Sequence, residues 1–271
     1  MCEMGKIVSA HKMNPMDRRG FLGLSAAAVA AGLWLPESFS PIESAGAADL
    51  TLAPGAALKA AASLKPTYPN SVIWNLPSKW PKVAWTVDDG GSQQALHNYI
   101  DFAHDTGTRL TFFVTSNNRP WRTLKKELLP LVKTGQVQLA NHTKSHLALT
   151  KLEGWQIRRE LRECRNFIEG EYGVTPAPIF RPPFGYYDKR VRHEAAVGGW
   201  HSCVMWYGTL GDGGGITAAR RLQLAQQWMT AGHIVIAHAN QVTSPYDLRR
   251  IRRMLDSRGL RTVTLDDTWR A

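Results

Sequence analysis

The chain is short of cysteine, of acidic residues and of long apolar runs, and each shortage excludes something. Of three cysteines, Cys2 lies at the extreme amino end, which leaves Cys164 in a helix-like stretch and Cys203 in a strand-like one. Export would allow a disulfide between them, but two separately buried thiols is the simpler reading. The longest apolar run, Phe21 to Leu35, is too short to span a bilayer comfortably, and no membrane-spanning segment follows it, so a stable membrane anchor is not expected. Acidic residues number 22 against 33 Lys and Arg, a net charge of +11. Residues 1–47 carry four basic side chains (Lys6, Lys12, Arg18, Arg19) and four acidic ones (Glu3, Asp17, Glu37, Glu43), so the whole excess belongs to the remainder. Such a surface attracts polyanions, and an acidic cell-envelope polymer is the expected neighbour unless the charge serves only solubility. Aromatic interleaving is absent around Arg249, Arg250, Arg252, Arg253, Arg258 and Arg261, so these read as a solvated helix face and no nucleic-acid partner is expected. Internal repeats are also absent.

The present residues begin with an address. Asp17-Arg18-Arg19-Gly20-Phe21-Leu22 sets two arginines before the apolar run, and small residues follow at Ala45-Gly46-Ala47-Ala48. The order resembles a twin-arginine signal peptide over 1–47, which implies the twin-arginine export machinery as a partner and a secreted, periplasmic or cell-envelope location. A buried amino-terminal helix is the alternative. Residues 48–80, rich in Ala, Pro and Ser, read as a linker and an extension lying over the domain.

From residue 81 onward, strand-like runs (82–87, 110–115, 137–140, 179–181, 202–206, 234–237, 261–265) alternate with helix-like ones (92–106, 122–134, 153–172, 187–198, 217–231, 245–258). In the last of these, Leu248, Ile251 and Leu255 form one apolar stripe. Strand–helix alternation repeated about seven times predicts an α/β fold, a distorted (β/α)7-type barrel of parallel strands with outer helices. A chain of 271 residues with 44% apolar and 20% charged residues can fill such a core.

Polar and ionisable residues follow five of the apolar runs. They are Asp88-Asp89-Gly90, then His142-Thr143-Lys144-Ser145-His146, Arg181-Pro182-Pro183-Phe184-Gly185, Asp212 and His238. A parallel sheet brings all five to its carboxyl end. Two histidines four apart can face one way, and a carboxylate from another strand completes a three-ligand site with a position left for water. Two His and one Asp suit Zn²⁺, and the same set accepts Co²⁺, Mn²⁺ or Ni²⁺.

In this order the motifs resemble the polysaccharide deacetylase (NodB-homology) domain of carbohydrate esterase family 4, over roughly residues 81–271. That resemblance implies a metal-dependent hydrolase of carbon–nitrogen bonds other than peptide bonds, acting on an acetylated polysaccharide. Peptidoglycan, chitin oligomers and acetylated xylan all remain open as substrates. It further implies Asp89, His142 and His146 as metal ligands, Asp88 as general base, and Arg181 orienting Asp88. It makes His238 the general acid paired with Asp212, and the Phe184 N–H an oxyanion donor. One motif departs from the family. Trp206 and Asp212 keep the expected spacing, but Gly213 stands where a tryptophan is usual, so Trp206 or Trp200 becomes the candidate wall for the acetyl methyl. A deacetylase-fold hydrolase of a small amide, or an inactive carbohydrate-binding member, are the alternatives.

Overall fold

A computed structural model describes residues 66–77 and 80–269; the Arg18-Arg19 segment, the small residues after it and positions 48–65 lie outside the described residues. Nine strands form one sheet: β1 (Val72–Ile73), β2 (Lys82–Asp89), β3 (Leu110–Val114), β4 (Val137–Asn141), β5 (Ile179–Phe180), β6 (Ser202–Val204), β7 (Gly208–Thr209), β8 (Ile234–His238) and β9 (Arg261–Val263). Their order is β1-β6-β5-β4-β3-β2-β8-β7, with β9 also on β2, and every strand pairing is parallel. The sheet curls until its ends approach. Asn75, just past β1, bridges antiparallel to His233, and the Leu76 N–H donates to the Gly232 carbonyl at 2.8 Å. The end of the amino-terminal extension is therefore part of the barrel wall, a short strand closing the seam beside β8.

The period of two in β2 explains the layering. Val83, Trp85 and Val87 point outward into a core shared with Leu96, Tyr99 and Phe102, whereas Ala84 points inward to join Phe113, Ala140, Ile179 and Val204. The helices are α1 (Gln93–Thr106), α2 (Pro120–Thr123), α3 (Lys125–Lys133), α4 (Gly154–Tyr172), α5 (Lys189–Val197), α6 (Ala218–Trp228), α7 (Pro245–Ser257) and α8 (Asp266–Trp269), of which α8 packs its Trp269 against the inward cluster. Local chemistry sets their ends. Ser92 Oγ caps α1 by accepting from the Ala95 N–H, and Gly107 ends it at φ 65°. Leu248, Ile251 and Leu255 are the buried stripe of α7, as the periodicity predicts.

The expected strands all form, with shifted ends. β2 and β8 run one or two residues further than their apolar stretches, because backbone pairing continues through Asp88, Asp89 and His238. β6 stops at Val204, so Trp206 lies beyond it, and the separate short strand β7 is what carries the chain to Asp212. The single helix expected over 122–134 is two, broken at Leu124 (φ −98°, ψ 10°). At the amino end of the barrel, the Tyr68 hydroxyl donates to Asp266 Oδ1 at 2.6 Å and Gln138 Nε2 to the same oxygen at 2.8 Å. Cys164 and Cys203 are buried and unpaired. Burial pushes both thiols up to about 12.

Candidate metal centre at the carboxyl end of the sheet

The parallel register places the functional side chains. Asp88 lies directly across from His238, and Asp89 from Val114. Inward alternation continues through Thr86 and Asp88 to the top of the barrel, but Asp89 breaks it with φ 73°. Thr143 (72°), His146 (55°) and Phe184 (61°) are the other non-glycine residues with positive φ among the described residues. All four stand at this one face, and such backbone costs about 1–3 kcal/mol each, so surrounding structure must hold it. Part of that support is visible. Gly90 follows at φ 72°, and a Cβ there would lie 2.4 Å from the Trp121 ring. That ring's Nε1–H donates to the Asp89 carbonyl at 2.9 Å, and Asn118 Nδ2 donates to the same oxygen at 2.8 Å.

Asp89 Oδ1 stands 3.3 Å from His142 Nε2 and 3.1 Å from His146 Nε2. His142 gives its Nδ1–H to the Arg181 carbonyl at 2.8 Å, which leaves Nε2 as a lone pair aimed at Asp89. Asp89 Oδ1 is buried and accepts no hydrogen bond, while its Oδ2 takes one from Asn240 Nδ2 at 2.5 Å. With both imidazoles deprotonated, as metal ligation requires, the buried carboxylate oxygen and the two ring nitrogens would repel one another. A divalent cation turns that repulsion into attraction, so the residues fit the metal their types suggested. Burial works to raise the Asp89 carboxyl, but the facing imidazoles of His142 and His146 outweigh it and hold it well below the usual carboxylate range. Burial likewise disfavours a protonated His142, yet the charges of Asp88 and Asp89 lift its affinity for a proton above the ordinary value.

Asp88 is tied from inside the barrel. The guanidinium of Arg181, fully buried, donates from Nη1 to Asp88 Oδ1 at 2.6 Å and to Thr86 Oγ1 at 2.9 Å. Its Nε and Nη2 donate to the carbonyls of Val204 and Met205 at 3.1 and 3.0 Å. Asp88 Oδ2 takes no part in that contact and lies 3.6 Å from His142 Nε2. On the opposite rim, Asp212 Oδ1 accepts from both the His238 backbone N–H (3.0 Å) and Nδ1 (3.1 Å). Burial opposes the charged His238 imidazole, but the Asp212 hydrogen bond prevails and raises its proton affinity. The Phe184 ring packs edge-on to His146 at 4.6 Å and lies 5.8 Å from Tyr186, and Phe184 and Tyr186 are both largely exposed. Trp206 lies beneath this loop, 5.6 Å from the Arg181 guanidinium and close enough to Gly185 that a Cβ there would come within 2.9 Å of it. Gly213 borders His238, with its missing Cβ 3.6 Å from the ring. The position expected to carry a tryptophan therefore borders the His238 imidazole.

All nine expected residues thus gather at the carboxyl end of the sheet. Asn240, Asn118 and Trp121 are additional members that sequence reasoning passed over, and Thr86, which opens the Asp88-Asp89 motif, gains a role as acceptor for Arg181. Asn240 follows His238 by two residues, and that proximity was the available signal.

Residues 76–201 match the family model for polysaccharide deacetylase. Chitin deacetylase 1 of Cryptococcus neoformans is 35% identical over 139 residues, which is 51% of this chain and 26% of that protein. The peptidoglycan-N-acetylglucosamine deacetylase of Bacillus cereus is 27% identical over 146 residues, 53% of this chain and 63% of that one. The aligned part is thus about a quarter of the first relative and under two thirds of the second. A solved pseudoenzyme of carbohydrate esterase family 4 from Bacillus anthracis superposes with a TM-score of 0.65 at 18% identity, covering 74% of this chain and 70% of that chain. It shares the fold, so activity here depends on the site's own atoms. Over residues 76–201 the chain is thus similar to polysaccharide deacetylases.

Proposed function

We propose that this chain, whose residues 76–201 match the polysaccharide deacetylase family model, removes acetyl groups hydrolytically from an N-acetylglucosamine-type polysaccharide such as peptidoglycan or chitin oligomers. The observation that supports this most is the convergence of Asp89, His142 and His146 on one point, with Asp88 beside it and His238 opposite. Zn²⁺, or a similar divalent ion, held by those three residues would supply Lewis acidity and bring the pKa of a water towards ~7.

The chain's own residues do the rest. Asp88 has Oδ1 committed to Arg181, so Oδ2 is the atom that takes the proton of the attacking water. Arg181 holds that carboxylate in place. The water oxygen bonds to the acetyl carbonyl carbon, and the charge developing on the carbonyl oxygen meets the Phe184 N–H. His238, its Nδ1 held by Asp212, donates from Nε2 to the amide nitrogen as the carbon–nitrogen bond breaks, releasing acetate and a free amine. The exposed Phe184 and Tyr186 rings offer apolar faces to pyranose units flanking the reacting one, which favours a polymer over a small amide.

The reading extends to export by the Arg18-Arg19 signal and to an acidic envelope polymer as neighbour of the basic surface. Sequencing the amino terminus of protein recovered outside the cytoplasm tests the first; a mature start near residue 48 is expected. The function itself is tested by acetate release from chitopentaose, peptidoglycan and acetylated xylan with Zn²⁺ present. Release from the first two supports it, and no release from any of the three overturns it.

A further inference from the structure

Behind the His238–Asp212 pair, buried polar atoms gather that no step above uses. Among the described residues, seven buried side-chain atoms have no hydrogen-bond partner, and four of them are Asp212 Oδ2, Tyr99 Oη, Arg221 Nε and Thr243 Oγ1. These four residues are neighbours in space. The Tyr99 phenol is within electrostatic reach of Asp212, Arg221 and Thr243. Arg221, on α6, is only 5% exposed and lies 3.9 Å from Asp247 on α7. Asn98, beside Tyr99 on α1, fixes the strand-to-helix loop by donating to the Thr243 carbonyl at 2.9 Å. Three helices and two loops thus enclose one polar spot, and it ends on the oxygen of Asp212 that faces away from His238.

Four orphaned polar atoms in one dry place would cost several kcal/mol if they stayed unpaired. Small rotations or one enclosed water would pair them with one another. We infer that Tyr99 and Arg221 are positioning residues for the catalytic acid, the phenol donating to Asp212 Oδ2 and the guanidinium lying against it, directly or through one buried water. Burial and the Asp212 charge keep the Tyr99 phenol protonated, which makes it a standing donor. A carboxylate that receives a proton donor and a nearby cation on one oxygen holds a proton less strongly through the other. The Asp212 hydrogen bond raises the proton affinity of His238. Tyr99 and Arg221 loosen that grip, so the imidazole can release the proton to the leaving nitrogen. The other charges facing His238 are Asp88 and Asp89 at the end of β2, both anionic, so this cationic and phenolic pair is the counterweight on the Asp212 side.

This rests on the acid role proposed for His238, but the test separates the two. ¹⁵N-histidine NMR titration of the full chain, with and without one equivalent of Zn²⁺, reads the His238 pKa without substrate. Tyr99→Phe is expected to raise it by about half a pH unit or more, and Arg221→Met by at least as much. Tyr68→Phe, at the opposite end of the barrel, is the control and should leave it unchanged. If any acetate is released by the wild type, Tyr99→Phe should lower kcat several-fold with KM unchanged. A His238 pKa in folded Tyr99→Phe that is equal to or below the wild-type value overturns the inference. Failure of acetate release in the wild type overturns the hydrolase reading, and the titration still decides whether Tyr99 and Arg221 tune His238. Should Arg221→Met not fold, Tyr99→Phe decides alone.

Discussion

Among the described residues, two groups of three side chains combine histidine with carboxylates, and they differ instructively. At the barrel top, Asp89, His142 and His146 aim one oxygen and two Nε2 atoms at a common point, with side chains 9%, 3% and 29% exposed. On the flank, His97 stands between Asp101 and Glu127, all of them 39% exposed or more. There the imidazole turns Nε2 to Asp101 (3.2 Å) and Nδ1 to Glu127 (2.8 Å), and nitrogens on opposite sides of a ring do not converge. The first group is held by Arg181, Asn240, Trp121 and Asn118 through hydrogen bonds to the ligands or their backbone, and by a strained backbone. The second is a solvated strap joining α1 to α3. Residue types alone do not distinguish them; direction, dryness and outer support do.

The sharpest way to break that contrast is to remove one donor from each cluster. Asp89→Ala or His146→Ala should lower Zn²⁺ affinity by about a hundredfold or more, while His97→Ala leaves it within error. Isothermal titration reads both, and equal losses would erase the distinction. Next is stability. Arg181→Met strands the buried Asp88 carboxylate and should cost about 3–5 kcal/mol in urea unfolding, against about 0.5 kcal/mol or less for His97→Ala. Asn240→Ala takes away a hydrogen bond to Asp89 Oδ2 and should weaken metal binding about tenfold, still by isothermal titration.

The smallest effect is in pH. The His238 proton is the one given to the leaving group, so activity should fall as pH rises through its raised pKa. Asp212→Asn removes the largest of the influences that raise it and leaves only Asp88 and Asp89 against burial, which lowers it, so the alkaline limb of kcat/KM should move to lower pH. That is opposite in sign to the Tyr99→Phe shift. An unmoved limb would mean that another group sets it.

Much of the barrel was legible because apolar runs and amphipathic stretches alternate with little ambiguity. β1 and β7, two residues each, were not, since a strand that short has no period to read. The break at Leu124 was hidden because apolar spacing continues across it and nothing but a backbone turn marks it. Asp88, Asp89, His142 and His146 stood out because ionisable residues right after apolar runs are conspicuous. Arg181 also stood out, but its full burial inside the barrel did not, because a single arginine carries no sign of the carbonyls that will receive it. Tyr99 escaped notice for the opposite reason. It sits on the apolar face of α1 among Leu96, Ile100 and Phe102, and only its hydroxyl, aimed past the core, separates it from a packing residue.

The most direct measurement is acetate release from chitopentaose by chelator-stripped protein as Zn²⁺ is added from zero to two equivalents. Activity should climb from background and break at one equivalent, with His146→Ala flat throughout. Full activity in the stripped protein, or none at any ratio, would contradict the account.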